Sequence, residues 1–530
     1  MREHSSIPIP PGYRVIPPRV NIARECLDRQ IEAGLGARVA FKSTGGDLTY
    51  AAVQESVCRL ADALARHGVR RGQHVLIRMA NSPEFIASYF ALVKLGAVPV
   101  LQNSAAGPAE VEYVVGHSDA VAAIALAEQA EALLPLRARL PLGIITARGT
   151  VAGCASYEAL LEHSAGGGAV TADTAADEPA MMVYSSGTTG KPKAILHAHR
   201  WIIALGDSNR LRVPPQTGDV ALAFGEWSFI SALGHNVLFP LRNGVTGAIL
   251  EGRSDPEPVL DAIERFRVTL TYGVPTVYRR ILALDGVEKK YDLSSLRGSN
   301  ALGEPLEAAT YNQWLERVGV PIWEHYGVSE MQMIIGQSPR LPVRPGSIGV
   351  PWGVDAVIVD SAYGEVPAGE IGQLVIRATD NPSLFLGYYK DEAKTREVVH
   401  DGWYHTGDLA WRDDDGYLWI AGRNDDCFKS RGHFIAPVEI ESALREHSAV
   451  VEACVVPVPD TRDGNRIRAV AVLRAGYAPG PGLAAELKEF LRDKVSYYKL
   501  PHSIEFAVAL PKSPVGKVLR KVIAQEKART

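Results

Sequence analysis

Cysteine is scarce: five residues in 530, at positions 26, 58, 154, 427 and 454, with no C-x-x-C pair among them. That excludes a disulfide framework and leaves a Cys-rich zinc site unsupported; free thiols in a reducing compartment are the expectation. No uninterrupted apolar run approaches the ~18 residues that a membrane span needs. The N-terminus, Met1-Arg-Glu-His-Ser-Ser-Ile-Pro8, carries an acid and a proline where a secretory signal has an apolar stretch. Neither sign of charge dominates: 56 Lys and Arg against 60 Asp and Glu give a net charge of −4. Nucleic acid and membrane are therefore not expected partners. A soluble, cytoplasmic protein is expected, either a monomer or a homodimer. What the chain has in plenty is core material, since 46% hydrophobic against 22% charged residues excludes global disorder.

Residues 50–67 space their apolar side chains near 3.6 and stop at Gly68, which predicts a helix. His74-Val-Leu-Ile-Arg-Met79 predicts a buried strand, 83–95 a helix ended by Gly96, and Ala97-Val-Pro-Val-Leu101 the next strand. The alternation continues with a strand near 121–126, a helix near 128–133 and a strand near 143–146. Further on, 181–184 and 268–272 read as strands, 255–266 and 275–284 as helices. Strands alternating with helices imply parallel βαβ units and an α/β body. Segment 165–179, rich in Gly, Ala, Thr and Asp, reads as a surface linker. From about residue 344, short runs with turn signals (356–360, 373–377, 416–421) indicate a small β-rich subdomain. After 426, helices at 437–445 and 483–495 and strands at 450–457 and 468–473 form an α+β unit of about a hundred residues. The boundary is placed between 424 and 425, giving domains 1–424 and 425–530.

The most informative stretch is Tyr184-Ser185-Ser186-Gly187-Thr188-Thr189-Gly190-Lys191-Pro192-Lys193. Its glycines let the backbone approach a ligand, and its hydroxyls and lysines offer donors and positive charge suited to polyphosphate. It is not a Walker loop, because only Thr188 and Thr189 separate the two glycines and Pro192 follows Lys191. On composition alone it reads as a surface loop. The string as a whole resembles the phosphate signature of the adenylate-forming superfamily: acyl-CoA synthetases, luciferases and peptide-synthetase adenylation domains. Ala194 stands where glycine is common. Further resemblances follow in order: Ala301-Leu-Gly-Glu-Pro305, Tyr326-Gly-Val-Ser-Glu330, Tyr404-His-Thr-Gly-Asp-Leu409, Gly422-Arg-Asn-Asp425 and Leu510-Pro-Lys-Ser-Pro-Val-Gly-Lys-Val-Leu-Arg520. They span almost the whole sequence.

The resemblance implies a large N-terminal body of βαβ subdomains with a small β-rich subdomain, followed by a small mobile α+β domain. It implies ATP, Mg²⁺ and coenzyme A as cofactors and a small-molecule carboxylic acid as substrate. Ser185, Ser186, Gly187, Thr188, Thr189, Gly190, Lys191 and Lys193 would hold the phosphates. Gly303, Glu304 and Pro305 would lie along one face of adenine, Tyr326 would stack on the other, and Glu324 would read the amino group. Ser329 would donate to the α-phosphate and Glu330 would hold the metal. Asp408 would accept from the ribose hydroxyls, supported by Arg423. Lys517 is implied as the catalytic lysine. Attack of the carboxylate on the α-phosphate gives an acyl adenylate and pyrophosphate, and a thiol then takes the acyl group. The charge on five-coordinate phosphorus would be met by Lys517, Mg²⁺, Ser329 and the 185–193 loop.

The same resemblance implies a domain rotation between the two half-reactions, hinged at Asp425, though an acid there also suits a turn or a helix cap. The rotation would bring in Lys429, Arg431 and Gly432, with glycine letting the pantetheine arm pass. Arg431, Lys429 and Arg466 are candidates for the CoA 3′-phosphate. Lys517, exposed when the small domain swings out, would be a target for a lysine acetyltransferase that removes its charge.

The acid pocket is expected to draw on Phe229, Ser231, Ala232, His235, Ala301, Leu302, Gly327, Met331, Met333 and Ile334. Residues 233–241 and Ser329-Glu-Met331 look most like benzoate and 2-aminobenzoate CoA ligases. Ser231 sits where those often carry tyrosine, and Met333 where they often carry histidine. Both departures remove a rigid ring, so the pocket would suit a substituted, bicyclic or cyclic aliphatic acid. His235 either gates the pocket or fills it. His197 and His199 alternate at strand spacing and read as structural. The expected activity is that of an acid–CoA ligase for an aromatic or cyclic acid. Three alternatives stand beside it: a ligase that loads a carrier-protein pantetheine, a medium-chain aliphatic acid CoA ligase, and a catalytically dead nucleotide-binding regulator. The set Lys193, Glu330, Asp408 and Lys517 opposes the last.

Overall fold

The computed structural model describes residues 15–162, 164, 170–185, 192–252, 254–431, 433–460, 464–512 and 518–525. The chain divides into two compact units. The first comprises Met1–Asp355 with Arg377–Gly402, the second Ala356–Ile376 with Trp403–Thr530.

The first unit is built on two sheets. One runs in space Val350–Pro351, Gln332–Gly336, Ile322–Val328, Gly298–Leu302, Leu270–Gly273, Val220–Ala223, Thr246–Ala248, Val39–Lys42, Leu48–Thr49. It is parallel from Ile322–Val328 to Val39–Lys42 and antiparallel at both margins. The other runs Gly387–Tyr388, Lys193–Ala198, Pro179–Ser185, Val98–Leu101, His74–Arg78, Ala120–Leu126, Ile144–Ala147, Ala155–Ser156. It too is parallel except at the Lys193–Ala198 margin. The strand Ala120–Leu126 is apolar throughout and almost wholly buried, as a parallel strand covered on both faces must be.

Helix starts and stops follow the local sequence. The Thr49 hydroxyl accepts from the Ala52 amide to open Tyr50–His67, and Gly68, at φ 113°, closes it in a conformation that a side chain resists. Ser82 caps Pro83–Lys94, with Pro83 in the first turn where its missing N–H costs nothing. That helix is buried from Phe85 to Lys94, and the Lys94 ammonium is held by Asp28 at 3.0 Å. The main core joins Leu60, Leu64, Phe85, Phe90 and Trp201 of three helices to Val75, Ile77 and Met181 of one sheet and Phe41, Ala221 and Tyr272 of the other. A second core around Tyr278, Ile263 and Trp314 places Pro256–Phe266, Pro275–Leu282 and Ala308–Val318 against the nine-stranded sheet.

Two expectations are corrected here. The helix near 128–133 is a pair of 3-10 segments, Ala127–Gln129 and Glu131–Arg139; Pro135 lacks the N–H that an α-helix needs there. The described part of the 165–179 linker is packed rather than merely superficial. Thr174 is buried, and its carbonyl accepts from Val20 N at 3.0 Å.

The second unit contains the β-rich strands Ala356–Val359, Gly372–Arg377, Trp403–Arg412 and Leu418–Arg423. The Trp411 and Trp419 rings stack with centroids 5.1 Å apart. The hairpin Phe428–Ser430/His433–Ile435 follows, then a three-stranded sheet of Val450–Asp460, Gly464–Leu473 and Ser503–Ala507. Helices Pro437–Arg445 and Pro481–Arg492 bury Ile440, Leu444, Leu487 and Leu491 against Val455, Ile467 and Ala469. Packing thus groups the β-rich strands with the C-terminal elements, so the division by packing falls elsewhere than 424/425. Among the described residues no helix is long and apolar enough to cross a membrane, and all five cysteines are free.

Candidate active site

The strands Pro179–Ser185 and Lys193–Ala198 form an antiparallel pair in which Ser185 lies opposite Lys193. Residues 186–191 join them, so Ser186, Gly187, Thr188, Thr189, Gly190 and Lys191 fall outside the described residues, as do Gly432 and Lys517. Both flanks are anchored from one helix, Pro108–His117. The Tyr113 hydroxyl donates to the Pro192 carbonyl at 3.2 Å, and the Tyr184 hydroxyl is 2.9 Å from His117 Nδ1.

On the outer margin of Lys193–Ala198 lies the short strand Gly387–Tyr388, with Tyr388 opposite Ile195. The Tyr388 hydroxyl donates to Glu330 Oε1 at 2.5 Å, and the Phe385 amide donates to the Glu330 carbonyl at 2.8 Å. Lys193 Nζ stands 5.4 Å from the centroid of the Tyr388 ring. From the same strand as Lys193, His197 Nε2–H donates to the Ser329 carbonyl at 2.9 Å. Ser329 and Glu330 occupy the turn between Ile322–Val328 and Gln332–Gly336, in the other sheet. The two sheets therefore meet at a cation, a carboxylate and a hydroxyl. Tyr388 and His197 carry no catalytic signal in the sequence; the bond that makes Tyr388 important spans 58 residues. Burial lowers the His197 pKa to about 3, so its ring is neutral and serves as a fixed donor. His199 is likewise buried and accepts from the Ile22 amide at 3.3 Å. No cluster of three or more metal-ligating side chains occurs among the described residues.

Of the residues expected to lie along adenine, Gly303 has φ 87° and Pro305 is exposed. Glu304 accepts from the Thr276 hydroxyl at 2.7 Å and pairs with Arg279 at 3.2 Å. Glu324 is buried. One carboxyl oxygen accepts from the Leu306 amide at 3.0 Å, and the other has no partner among the described residues. Burial pushes this carboxyl well above the usual range. Tyr326 is half-buried beside the exposed Gly327. A Cβ on Gly327 would lie 2.2 Å from the Gln332 carbonyl oxygen, so the turn closes only on glycine.

The residues expected to hold the acid come from three places in the fold. Phe229 precedes the helical stretch that carries Ser231, Ala232 and His235; Ala301 and Leu302 end the strand Gly298–Leu302; Met331, Met333 and Ile334 flank Gln332. The Gln332 amide nitrogen lies 3.3 Å from the Ile230 carbonyl and 3.5 Å from His235 Nδ1, which joins the first group to the third. His235 is buried, donates from Nδ1–H to the Ser231 carbonyl at 2.7 Å and stacks on Tyr272 at 4.6 Å. Burial lowers its pKa to about 3.

Within the second unit, Asp408 lies opposite Arg423 on neighbouring strands, with Arg423 Nη1 at 3.2 Å from Asp408 Oδ1 and 3.0 Å from the Thr406 carbonyl. A Cβ on Gly407 would lie 2.9 Å from the guanidinium, so glycine clears its path. Asp425 is exposed in the turn at 424–426. Lys429 is exposed, Arg431 Nη2 is 2.6 Å from His502 Nε2, and Arg466 pairs with Asp460 at 2.9 Å.

Two family models match this chain: the AMP-binding enzyme model over residues 27–389 and the AMP-binding enzyme C-terminal domain model over 439–517. The chain belongs to the AMP-binding enzyme family. Among AMP-binding enzymes it is similar to a 3-hydroxybenzoate–CoA ligase of Aromatoleum sp. (strain CIB), 32% identical over 511 residues, covering 94% of this chain and 95% of the relative. It is also similar to a benzoate–CoA ligase of Thauera aromatica, 32% identical over 525 residues, covering 98% of each. Among solved structures, the anthranilate CoA ligase AuaEII in complex with anthranoyl-AMP superposes with a TM-score of 0.89 at 31% identity, covering 96% of this chain and 97% of that one. As an AMP-binding enzyme of the acid–CoA ligase kind, the protein is an ATP-dependent, adenylate-forming ligase with ATP, CoA and a small-molecule acid as substrates.

Proposed function

We propose that the protein joins an aromatic or cyclic carboxylic acid to coenzyme A through an acyl adenylate, releasing AMP and pyrophosphate. The observation that carries this reading is the junction of Lys193, Tyr388, Glu330 and Ser329, on and beside the strand that begins where the segment bearing the phosphate signature ends. Lys193 and the hydroxyls of Ser185, Ser186, Thr188 and Thr189 bind the polyphosphate. Ser329 donates to the α-phosphate. Gly303 to Pro305 and Tyr326 enclose adenine, and Glu324 sits at its edge. Asp408, held straight by Arg423, accepts from the ribose hydroxyls.

Mg²⁺ fits here. Glu330 is half-exposed and presents hard carboxylate oxygens, and this ion takes one or two carboxylates while keeping phosphate and water as its other ligands. When bound, it would neutralise charge on the phosphates. The acid carboxylate attacks the α-phosphorus, and the pyrophosphate oxygen leaves. Lys517 meets the charge that develops on the equatorial oxygens, where a fixed cation is worth most. For the second step the 425–530 domain turns about Asp425 and withdraws Lys517. Lys429, Arg431 and Gly432 then receive the pantetheine and the 3′-phosphate, and the CoA thiol attacks the adenylate carbonyl and expels AMP. The 424/425 boundary is thus a functional one. Acetylation of Lys517 by a lysine acetyltransferase would silence the first step; a native protein whose Lys517 is never acetylated, by mass spectrometry, refutes that. The protein works as a monomer or a homodimer in the cytoplasm.

ATP–pyrophosphate exchange with a panel of aryl, cycloalkyl and medium-chain acids tests the first step. Exchange driven best by aryl or cycloalkyl acids, with thioester formed on added CoA, is the expected result. Exchange with no acid sinks the reading, and acyl transfer only to a carrier protein replaces its second half.

A further inference from the structure

Arg520 stands three residues beyond the proposed catalytic lysine, and its guanidinium reaches three separate elements of the second unit. Nη2 donates to Glu441 Oε2 at 2.6 Å and Nη1 to Glu441 Oε1, a bidentate pair with a buried carboxylate on the helix Pro437–Arg445. Nη1 also donates to the Val455 carbonyl at 3.1 Å, on the strand Val450–Asp460. Nε pairs with Asp426 at 3.2 Å, in the turn beside the proposed pivot Asp425. Glu441 Oε1 accepts from the Val455 amide as well, at 2.6 Å, so helix, strand and guanidinium hold one another in place.

Such a pair is a poor device for stability, because desolvation offsets most of its attraction. What the planar fork supplies is fixed geometry. Geometry is needed at this point in the chain. Val518 bridges back to Lys512, and the Leu519 amide donates to the Pro511 carbonyl at 2.9 Å. Lys512 Nζ is held by Glu452 at 2.7 Å, and Leu510 and Ile523 are buried in one cluster with Val456 and Val470. Residues 513–517 join these two held ends, so whatever fixes Arg520 fixes the chain to which Lys517 is attached. The proposed CoA side is held by other bonds. Ser430 Oγ donates to the Asn465 carbonyl at 2.7 Å, Asn465 Nδ2 donates to the Lys429 carbonyl at 2.9 Å, and Arg431 Nη2 is 2.6 Å from His502 Nε2. None of these bonds involves Arg520, Glu441 or Asp426.

We propose that Arg520 is a positioning residue for adenylate formation: through Asp426 it ties the chain that bears Lys517 to the hinge turn, and through Glu441 to the helix and strand behind it. The lysine is then delivered as part of one stiff piece when the domain turns about Asp425. This rests on the reading of Lys517 and Asp425 given above and adds to it the group that sets the lysine's place.

The test uses the full-length protein, the acid that drives exchange best, and the acyl adenylate of that acid. Arg520→Lys keeps the charge, but one ammonium does not span both Glu441 oxygens, the Val455 carbonyl and Asp426. Its kcat in pyrophosphate exchange is expected to fall about 10- to 100-fold, as for a misplaced catalytic group. The KM for ATP should hold, and thioester formation from supplied adenylate and CoA should keep the wild-type rate. Asp426→Asn cuts only the hinge arm, where Asp426 is half-exposed; a fall of about 3- to 10-fold in the same exchange assay is expected. It carries the test if Arg520→Lys does not fold. Equal losses in both half-reactions, or a lowered Tm with exchange unchanged, make the arginine structural and overturn the proposal. Lys517→Ala, run beside them, separates the two readings. If it still exchanges pyrophosphate, the lysine reading has failed and the positioning role falls with it. If it does not, while the Arg520 and Asp426 variants exchange like wild type, the positioning role alone is wrong.

Discussion

The hydroxyl of Tyr388 holds the carboxylate of Glu330 at 2.5 Å, from a strand that also lays its ring beneath the Lys193 ammonium. One side chain thus sets the direction of the proposed metal-binding carboxylate and braces a proposed phosphate-binding cation. Removing the hydroxyl alone separates these duties. In Tyr388→Phe the Mg²⁺ concentration for half-maximal pyrophosphate exchange is expected to rise 10- to 100-fold, the usual cost of losing an outer-sphere partner of a metal ligand. Unchanged Mg²⁺ dependence with an unchanged rate would show that Glu330 needs no such support.

Lys517 is proposed to act in one half-reaction only. Lys517→Ala should lose adenylate formation, measured by pyrophosphate exchange, yet still convert a supplied acyl adenylate and CoA to thioester. Comparable losses in both assays would refute the division of labour between the two domain positions.

Gly327 closes on the Gln332 backbone, and Gln332 itself has φ 67°, a conformation that is uncommon for a residue with a side chain. Gly327→Ala must push that carbonyl aside. A stability loss of about 1–3 kcal/mol is expected, as for overpacked interiors, with a raised KM for the acid because Met331 and Met333 move with Gln332. Denaturant unfolding and steady-state kinetics check the two parts separately.

Acidification should destabilise the fold. Burial lowers the imidazole pKa values of His197 and His235 to about 3 and of His199 to about 4, and that of His325 well below the usual range. The unfolded chain takes protons at these positions below about pH 6.5, where the native state refuses them, so stability falls with pH. At pH 5 each fully buried imidazole costs about 2 kcal/mol relative to neutral pH. Glu324, pushed the other way, offsets only part of this. Urea midpoints at pH 7 and pH 5 check the sign, and His199→Asn should lower the proton uptake on unfolding by about one.

Much of the frame was legible because its signals are local. Thr49 and Gly68 bracket one helix, and the apolar run of Ala120–Leu126 announces a covered parallel strand. The 128–133 segment misleads because a strand–helix alternation asks for a helix there, whereas the backbone takes 3-10 form with Pro135, which has no N–H, inside its second segment. Asp408 and Arg423 were both singled out, and the strand register puts them opposite one another. Tyr388 was hidden by distance along the chain.

That distance has a consequence for biosynthesis. The contacts around Glu330 reach back 132 residues to His197 and forward 58 to Tyr388. A growing chain that has passed the phosphate signature therefore still lacks the clamp, and long-range closures of this sort form late. Nucleotide would find little purchase on the unfinished polypeptide and would favour only the completed one.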